Sequence, residues 1–211
     1  MLLAIVASSI GTVRFHRLSP SLRALTLLVG FDAILESTGL MLLHLHKPNL
    51  FLLPIVIVGE AGLQMLMYGR AFRSKAFWRV AFWLIGGLVL YALLDSLLIP
   101  GTIRFRPSLQ ILGNLISLFF AGLYFRKILN ELLVDHLGRD PLFWVSIGLA
   151  LCSLGDLLIS LSSDYLLHHY SQQLNIAIWR VHSLLVVSLY ICYCVALLLH
   201  PRQLAPSTRS S

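Results

Sequence analysis

The chain has 211 residues, 58% of them hydrophobic and 12% charged, with a net charge of +7 and a mean hydropathy of +0.85. Soluble domains are about 45–50% apolar and about 25% charged, so this composition leaves too little polar residue to cover a surface in water. A soluble fold is excluded, and so is a nucleic-acid partner, because Lys and Arg gather in short breaks between apolar runs rather than along one stripe.

The apolar stretches are long and Leu-rich, not the short alternating strands of a membrane barrel. Helices satisfy their own backbone in lipid, so the sequence predicts an all-α, polytopic transmembrane bundle. Apolar segments run at about 1–13, 20–43, 49–69, 77–99, 108–125, 141–163 and 174–199. Six reach the roughly 20 residues that cross a core of about 30 Å. The first covers only about 20 Å at 1.5 Å per residue. Either that helix is short, or its start lies upstream, or six helices span. Met1 leads directly into it without a basic n-region, so no cleavable signal peptide is expected.

Punctuation separates the segments. Ser19-Pro20-Ser21 opens the second and Lys47-Pro48-Asn49 precedes the third. Pro54 either kinks the third or falls in its first turns. Pro100-Gly101 follows the fourth and Pro107-Ser108 opens the fifth. Asp140-Pro141 opens the sixth, with Asp as cap and Pro at the first helical position. Residues 1–200 read as a single bundle domain and 201–211, polar and Ser-rich, as a disordered tail.

Charge in the breaks predicts orientation. Arg14, Arg17 and Arg23 flank the first connection, Arg70, Arg73, Lys75 and Arg79 the third, and Arg126, Lys127 and Arg139 the fifth; the tail adds Arg202 and Arg209. The other side carries Lys47, Arg104, Arg106 and Arg180. The positive-inside rule puts the tail in the cytoplasm and, with seven helices, the N-terminus outside.

Five of the nine acidic residues, Asp32, Glu36, Glu60, Asp95 and Asp156, fall within apolar segments, where no Lys or Arg lies near a centre. Each lone carboxylate at mid-membrane costs at least about 2.5–3.5 kcal/mol on insertion scales. Such groups must be protonated, share hydrogen bonds, line a wet cavity or bind a cation. Their spacing gathers them: Asp32/Glu36, Glu60/Gln64 and Gln110/Asn114 are i,i+4 pairs, with Ser117 a turn further, and Asn175, Trp179 and His182 follow one stripe. Asp32 and Glu60 are expected near mid-membrane, with Glu36, Asn114, Asp156 and His182 in the outer half. The expected result is an acidic pocket open outward and closed to the cytoplasm, with Asp32, Glu36, Glu60, Asn114, Asp156 and His182 as ligand-binding candidates and His44 and His46 at the rim.

A plainer reading stands beside this one. Gln64, Gln110 and Asn114 would serve as interhelical hydrogen bonds, Asp95 would sit at the interface, and His182 would be a satisfied core histidine. Beside a carboxylate, His182 becomes a proton carrier. Cys152, Cys192 and Cys194 read as small buried hydrophobes rather than disulfide or metal ligands. No metal or cofactor is expected: Lys47, Lys75 and Lys127 all lie at segment ends, away from any retinal position, and no P-loop, HExxH or GxSxG pattern occurs. Gly59/Gly62 and Gly86/Gly87 suggest close packing only weakly, not being GxxxG pairs.

Two resemblances follow from these segments. Pro141-Leu-Phe-Trp-Val-Ser-Ile-Gly148, Ile178-Trp179-Arg180-Val181-His182-Ser183 and the contexts of Glu36 and Glu60 resemble a family of small, uncharacterised bacterial seven-helix membrane proteins. That resemblance implies a multi-pass protein of the bacterial inner membrane. Separately, Ser153-Leu-Gly-Asp-Leu-Leu158 resembles the Ser-x-x-Gly-Asp segment of lysoplasmalogenase-like membrane hydrolases. There an intramembrane Asp is implicated in ether-lipid cleavage; the downstream Gly-rich and His pattern is missing, with His168 and His169 following instead. The functional expectation is a sensor or ligand-binding protein whose partners are the bilayer and a separate signalling protein. The alternatives are a lipid hydrolase using Asp156 with Glu60 or His182, and a small cation- or proton-coupled transporter.

Overall fold

The computed structural model describes residues 2–47, 49, 51–98, 107–130, 137–169 and 172–199. The tail at 201–211, the break at Pro100-Gly101, and Arg104 and Arg106 lie outside the described residues, as do the side chains of His168, His169 and Asn175. Among the described residues seven α-helices follow in order: α1 Leu2–Arg14, α2 Pro20–His44, α3 Leu52–Phe72, α4 Lys75–Leu98, α5 Pro107–Asn130, α6 Pro141–His169 and α7 Gln172–Leu198. No strand occurs among the described residues. Among the described residues six helices are long and apolar enough to cross a membrane; α1, with 13 residues, is not.

The helix starts follow the local chemistry. Ser19 accepts a hydrogen bond from the Leu22 amide (3.4 Å), and Pro20 occupies the first helical position of α2. Asp140 Oδ1 accepts from the Leu142 amide (3.1 Å) ahead of Pro141 in α6. Pro54 falls in the first turn of α3, where its missing N–H costs no intrahelical bond, so that helix needs no kink. Arg73 ends α3 in the left-handed region (φ 50°), its amide returning to Gly69 O at 3.1 Å. After Ser74, α4 begins at Lys75, two residues before the apolar run does.

Long basic side chains tie one end of the bundle together. Arg14 Nη1 donates to the carbonyls of Leu197 (3.1 Å) and Leu198 (3.0 Å), joining α1 to the last turn of α7. Arg70 reaches Pro20 O (2.9 Å) and Lys127 reaches Ala71 O (3.0 Å). The Tyr124 hydroxyl donates to Asp140 Oδ2, joining the end of α5 to the start of α6. Helices therefore alternate in direction. The ends of α1, α3, α5 and α7 and the starts of α2, α4 and α6 share this basic end.

Packing forms a ring in the order α1, α2, α3, α5, α6, α7 and back to α1, with α4 outside against α3 and α5. Glycines permit the close approaches. A Cβ on Gly59 would lie 2.2 Å from Phe31 Cζ across α2 and α3, and one on Gly155 would lie 2.1 Å from Leu185 Cδ1 across α6 and α7. Gly62, Gly86 and Gly87 face open space, so of the four glycines in the two pairs only Gly59 makes a helix contact. The outer position of α4 leaves Phe82, Trp83, Leu90 and Leu97 exposed, as a lipid-facing helix requires.

Candidate functional site: an acidic cavity inside the helix ring

Counting 1.5 Å per residue from the basic end of each helix places Asp32 and Glu60 at about 18 Å. Glu36, Asn114, Asp156 and His182 fall at about 22–24 Å by the same count. The polar positions thus occupy one slab, a little past the middle of a core about 30 Å thick. The i,i+4 spacing on α2 and α3 turns both residues of each pair to the ring interior.

These side chains meet. A cavity of about 190 Å³ is lined by all six candidates, Asp32, Glu36, Glu60, Asn114, Asp156 and His182. Its wall comes from α2, α3, α5, α6 and α7; α1 and α4 contribute no residue to it. A smaller space of about 130 Å³ continues from Glu60, Asn114 and Asp156 along Gln110 and Gly113 of α5. A third, of about 310 Å³, runs from Asp32, Glu36 and Glu60 between α2 and α3 to Asn49, beyond the end of α2 opposite the basic one. Glu60 borders all three spaces, which makes it the hub.

Toward the basic end the cavity is stopped by aromatic rings. Tyr68, Phe120 and Tyr193 are each at most 1% exposed. Tyr68 packs on Phe120 and Tyr124 with ring centroids 6.1 and 5.8 Å apart, and Phe77 on Phe72 at 4.8 Å. The Tyr68 hydroxyl shares a hydrogen bond with Ser146 Oγ at 2.9 Å, so this polar atom within the layer is satisfied.

Within the cavity, His182 Nε2 stands 3.2 Å from Asp156 Oδ1, although that oxygen makes no aligned hydrogen bond. The Tyr190 hydroxyl donates to Glu36 Oε1 at 3.1 Å and so bridges α7 to α2. Cys152 Sγ lies 4.0 Å from Asp156 Oδ2, the outer limit for a sulfur donor. Four carboxyl groups share the lining with one imidazole and with no described Lys or Arg. Buried oxygens of Asp32, Gln64 and Gln110 lack a hydrogen-bond partner, as does Asn114 Nδ2. Among the described residues no group of three or more His, Cys, Asp or Glu is placed to hold a metal ion.

Several expectations sort differently. Gln64, Gln110 and Ser117 do face these spaces, and Cys152 is buried. Trp179 does not join them; it is 62% exposed at about 28 Å from the basic end of α7, beyond the level of the cavity. His44 and His46 are exposed and line none of the three spaces; Asn49 lines the third space instead, at the end away from the basic one. Asp95 lies near the end of the peripheral α4, away from the cavity. Tyr190 and Tyr193 are cavity neighbours that composition conceals, because Tyr is counted with the hydrophobic residues. Their signal is position: they lie eight and eleven residues after His182, near two and three full turns.

The chain matches no family model, no curated protein and no solved structure.

Proposed function

We propose that the protein is a multi-pass ligand-binding or sensor protein of the cell membrane, and that its acidic cavity takes its ligand from the side opposite the cytoplasm. The carrying observation is the convergence of Asp32, Glu36, Glu60, Asn114, Asp156 and His182 from five helices on one cavity. Ionisable groups are costly in the bilayer interior and are kept there for a use. The charge bias supports the direction: ten described Lys and Arg lie at or beside the basic end, against Lys47 and Arg180 toward the other. The aromatic layer lies on the basic side of the cavity and the Asn49 passage on the other side. Cysteine labelling tests the direction. In a background with Cys152, Cys192 and Cys194 replaced by Ser, an impermeant thiol reagent applied outside should modify Asn49→Cys and spare Ser74→Cys. Modification of Ser74→Cys alone would reverse the orientation.

A hydrolase is the second reading, favoured by the Asp156–His182 pair at 3.2 Å and by the Ser153–Leu158 resemblance. Such a pair can hold and pass a proton. The 190 Å³ cavity is below the roughly 300–1,000 Å³ of sites for drug-sized ligands, so it would admit a headgroup rather than a whole lipid. A coupled transporter is less well supported, since α2, α3 and α5 run unbroken past the cavity where such sites usually interrupt their helices.

A further inference from the structure

We propose that the cavity binds a small organic cation carrying several N–H donors, an alkylammonium or guanidinium group, held between Asp32 of α2, Glu60 and Gln64 of α3 and Asp156 of α6. The inference deepens the reading of the cavity as a ligand site and rests on it.

Gln64 provides the starting observation, independent of the acidic cluster. Its side chain is 2% exposed, lines the cavity, and leaves Oε1 without a hydrogen-bond partner. A buried amide oxygen left unpaired is uncommon, and one that borders a cavity calls for a donor from within it. The other unpaired atoms repeat the demand. An Asp32 oxygen joins Gln64 Oε1 as an acceptor in this cavity and Gln110 Oε1 does so in the adjoining space, while Asp156 Oδ1 faces only the His182 imidazole at 3.2 Å; Asn114 Nδ2 is the one unpaired donor among the described buried side chains. A ligand complementary to that set donates several hydrogen bonds and accepts few.

Charge selects further. Four carboxyl groups face one imidazole, with no described Lys or Arg in the lining, so the bound species should bring positive charge. The acceptors of this cavity are distributed over α2, α3 and α6, and among the described residues no three His, Cys, Asp or Glu are placed together to hold a metal ion. A point ion cannot reach several separated oxygens at coordination distance, whereas a polyatomic cation spans them. Tyr190 and Tyr193 add aromatic lining, which favours a cation over a neutral donor such as urea. Size sets the upper limit. With about 10–15 Å³ of this space needed per water, the 190 Å³ cavity holds at most a molecule equal to roughly 13–19 waters.

Thermal unfolding of the purified full-length protein in detergent, with defined probes, tests the proposal. Putrescine and agmatine should raise Tm saturably. Tetramethylammonium, a cation without N–H donors, should not, nor should CaCl2, MgCl2 or urea. Gln64→Leu and Asp32→Asn should each weaken the apparent affinity for putrescine by roughly tenfold or more. No shift with either amine overturns the proposal, as does a response to Ca²⁺ or Mg²⁺ alone. Equal responses to putrescine and tetramethylammonium would show charge without hydrogen bonding and overturn it too. The wild-type series decides the question if a variant fails to fold. Both ends of the bundle are accessible in a micelle, so the probe series fails or succeeds independently of the direction of opening.

Discussion

Replacing Gly59 by Ala tests the packing that brings α2 and α3 together around the cavity. The new Cβ would stand 2.2 and 2.5 Å from Phe31 Cζ and Cε1, with Cε2 at 3.2 Å. A phenyl ring held between helices cannot swing aside as the end of a Leu can, so the helices must separate. Overpacking of this kind costs about 1–3 kcal/mol. Ala in place of Gly in a helix interior returns about 0.5–1 kcal/mol. Gly62→Ala isolates that second effect, because a Cβ at Gly62 meets nothing within 4 Å. Gly59→Ala should therefore be less stable than Gly62→Ala by about 1–3 kcal/mol, measured by reversible unfolding in mixed micelles. Equal stability of the two variants would refute the close α2–α3 contact at Gly59 and Phe31.

Three further outcomes follow from named contacts. Tyr190→Phe and Glu36→Gln, alone and combined, should give a coupling energy of about 0.6–1.7 kcal/mol, the range for hydrogen bonds between membrane helices; additive effects would mean that the 3.1 Å bond between α7 and α2 contributes nothing. Arg14→Ala removes both hydrogen bonds to the last carbonyls of α7 and should cost about 1–3 kcal/mol, seen as earlier protease cleavage near residue 198; an unchanged digestion pattern would count against that cap. Asp156→Asn keeps the shape of the side chain and loses its proton transfer. A binding protein with this change should retain its fold with altered ligand affinity, while loss of a lipid product formed by the wild-type protein would establish the hydrolase reading.

The bundle was legible because lipid forces each crossing segment to close its own hydrogen bonds, so hydropathy marks the helices and Ser19, Asp140 and the prolines mark their starts. Helix ends were less legible. Helical hydrogen bonding continues through Arg126 and Lys127 to Asn130 in α5, and to His169 in α6, past the residues that lipid selects. The cavity was legible in its acidic members, since a carboxyl in an apolar run is conspicuous and an i,i+4 partner fixes its face. The exclusion of α4 from the ring was not stated by hydropathy, which scores it like its neighbours; its signal was the lack of any polar pair, with Asp95 near its end. The aromatic layer and the Tyr190 bridge depend on which helices adjoin. That is decided by distant contacts such as Gly59 with Phe31, which no single segment reports.

We propose an acidic cavity centred on Glu60 and reached from the side opposite the basic end. Its most direct test is the reactivity of Glu60→Cys in oriented membranes, with Cys152, Cys192 and Cys194 replaced by Ser. A small charged methanethiosulfonate applied outside should modify this cysteine and leave the lipid-facing Leu93→Cys on α4 unmodified. Modification only from the cytoplasmic side, or reactivity no greater than that of Leu93→Cys, would contradict the account.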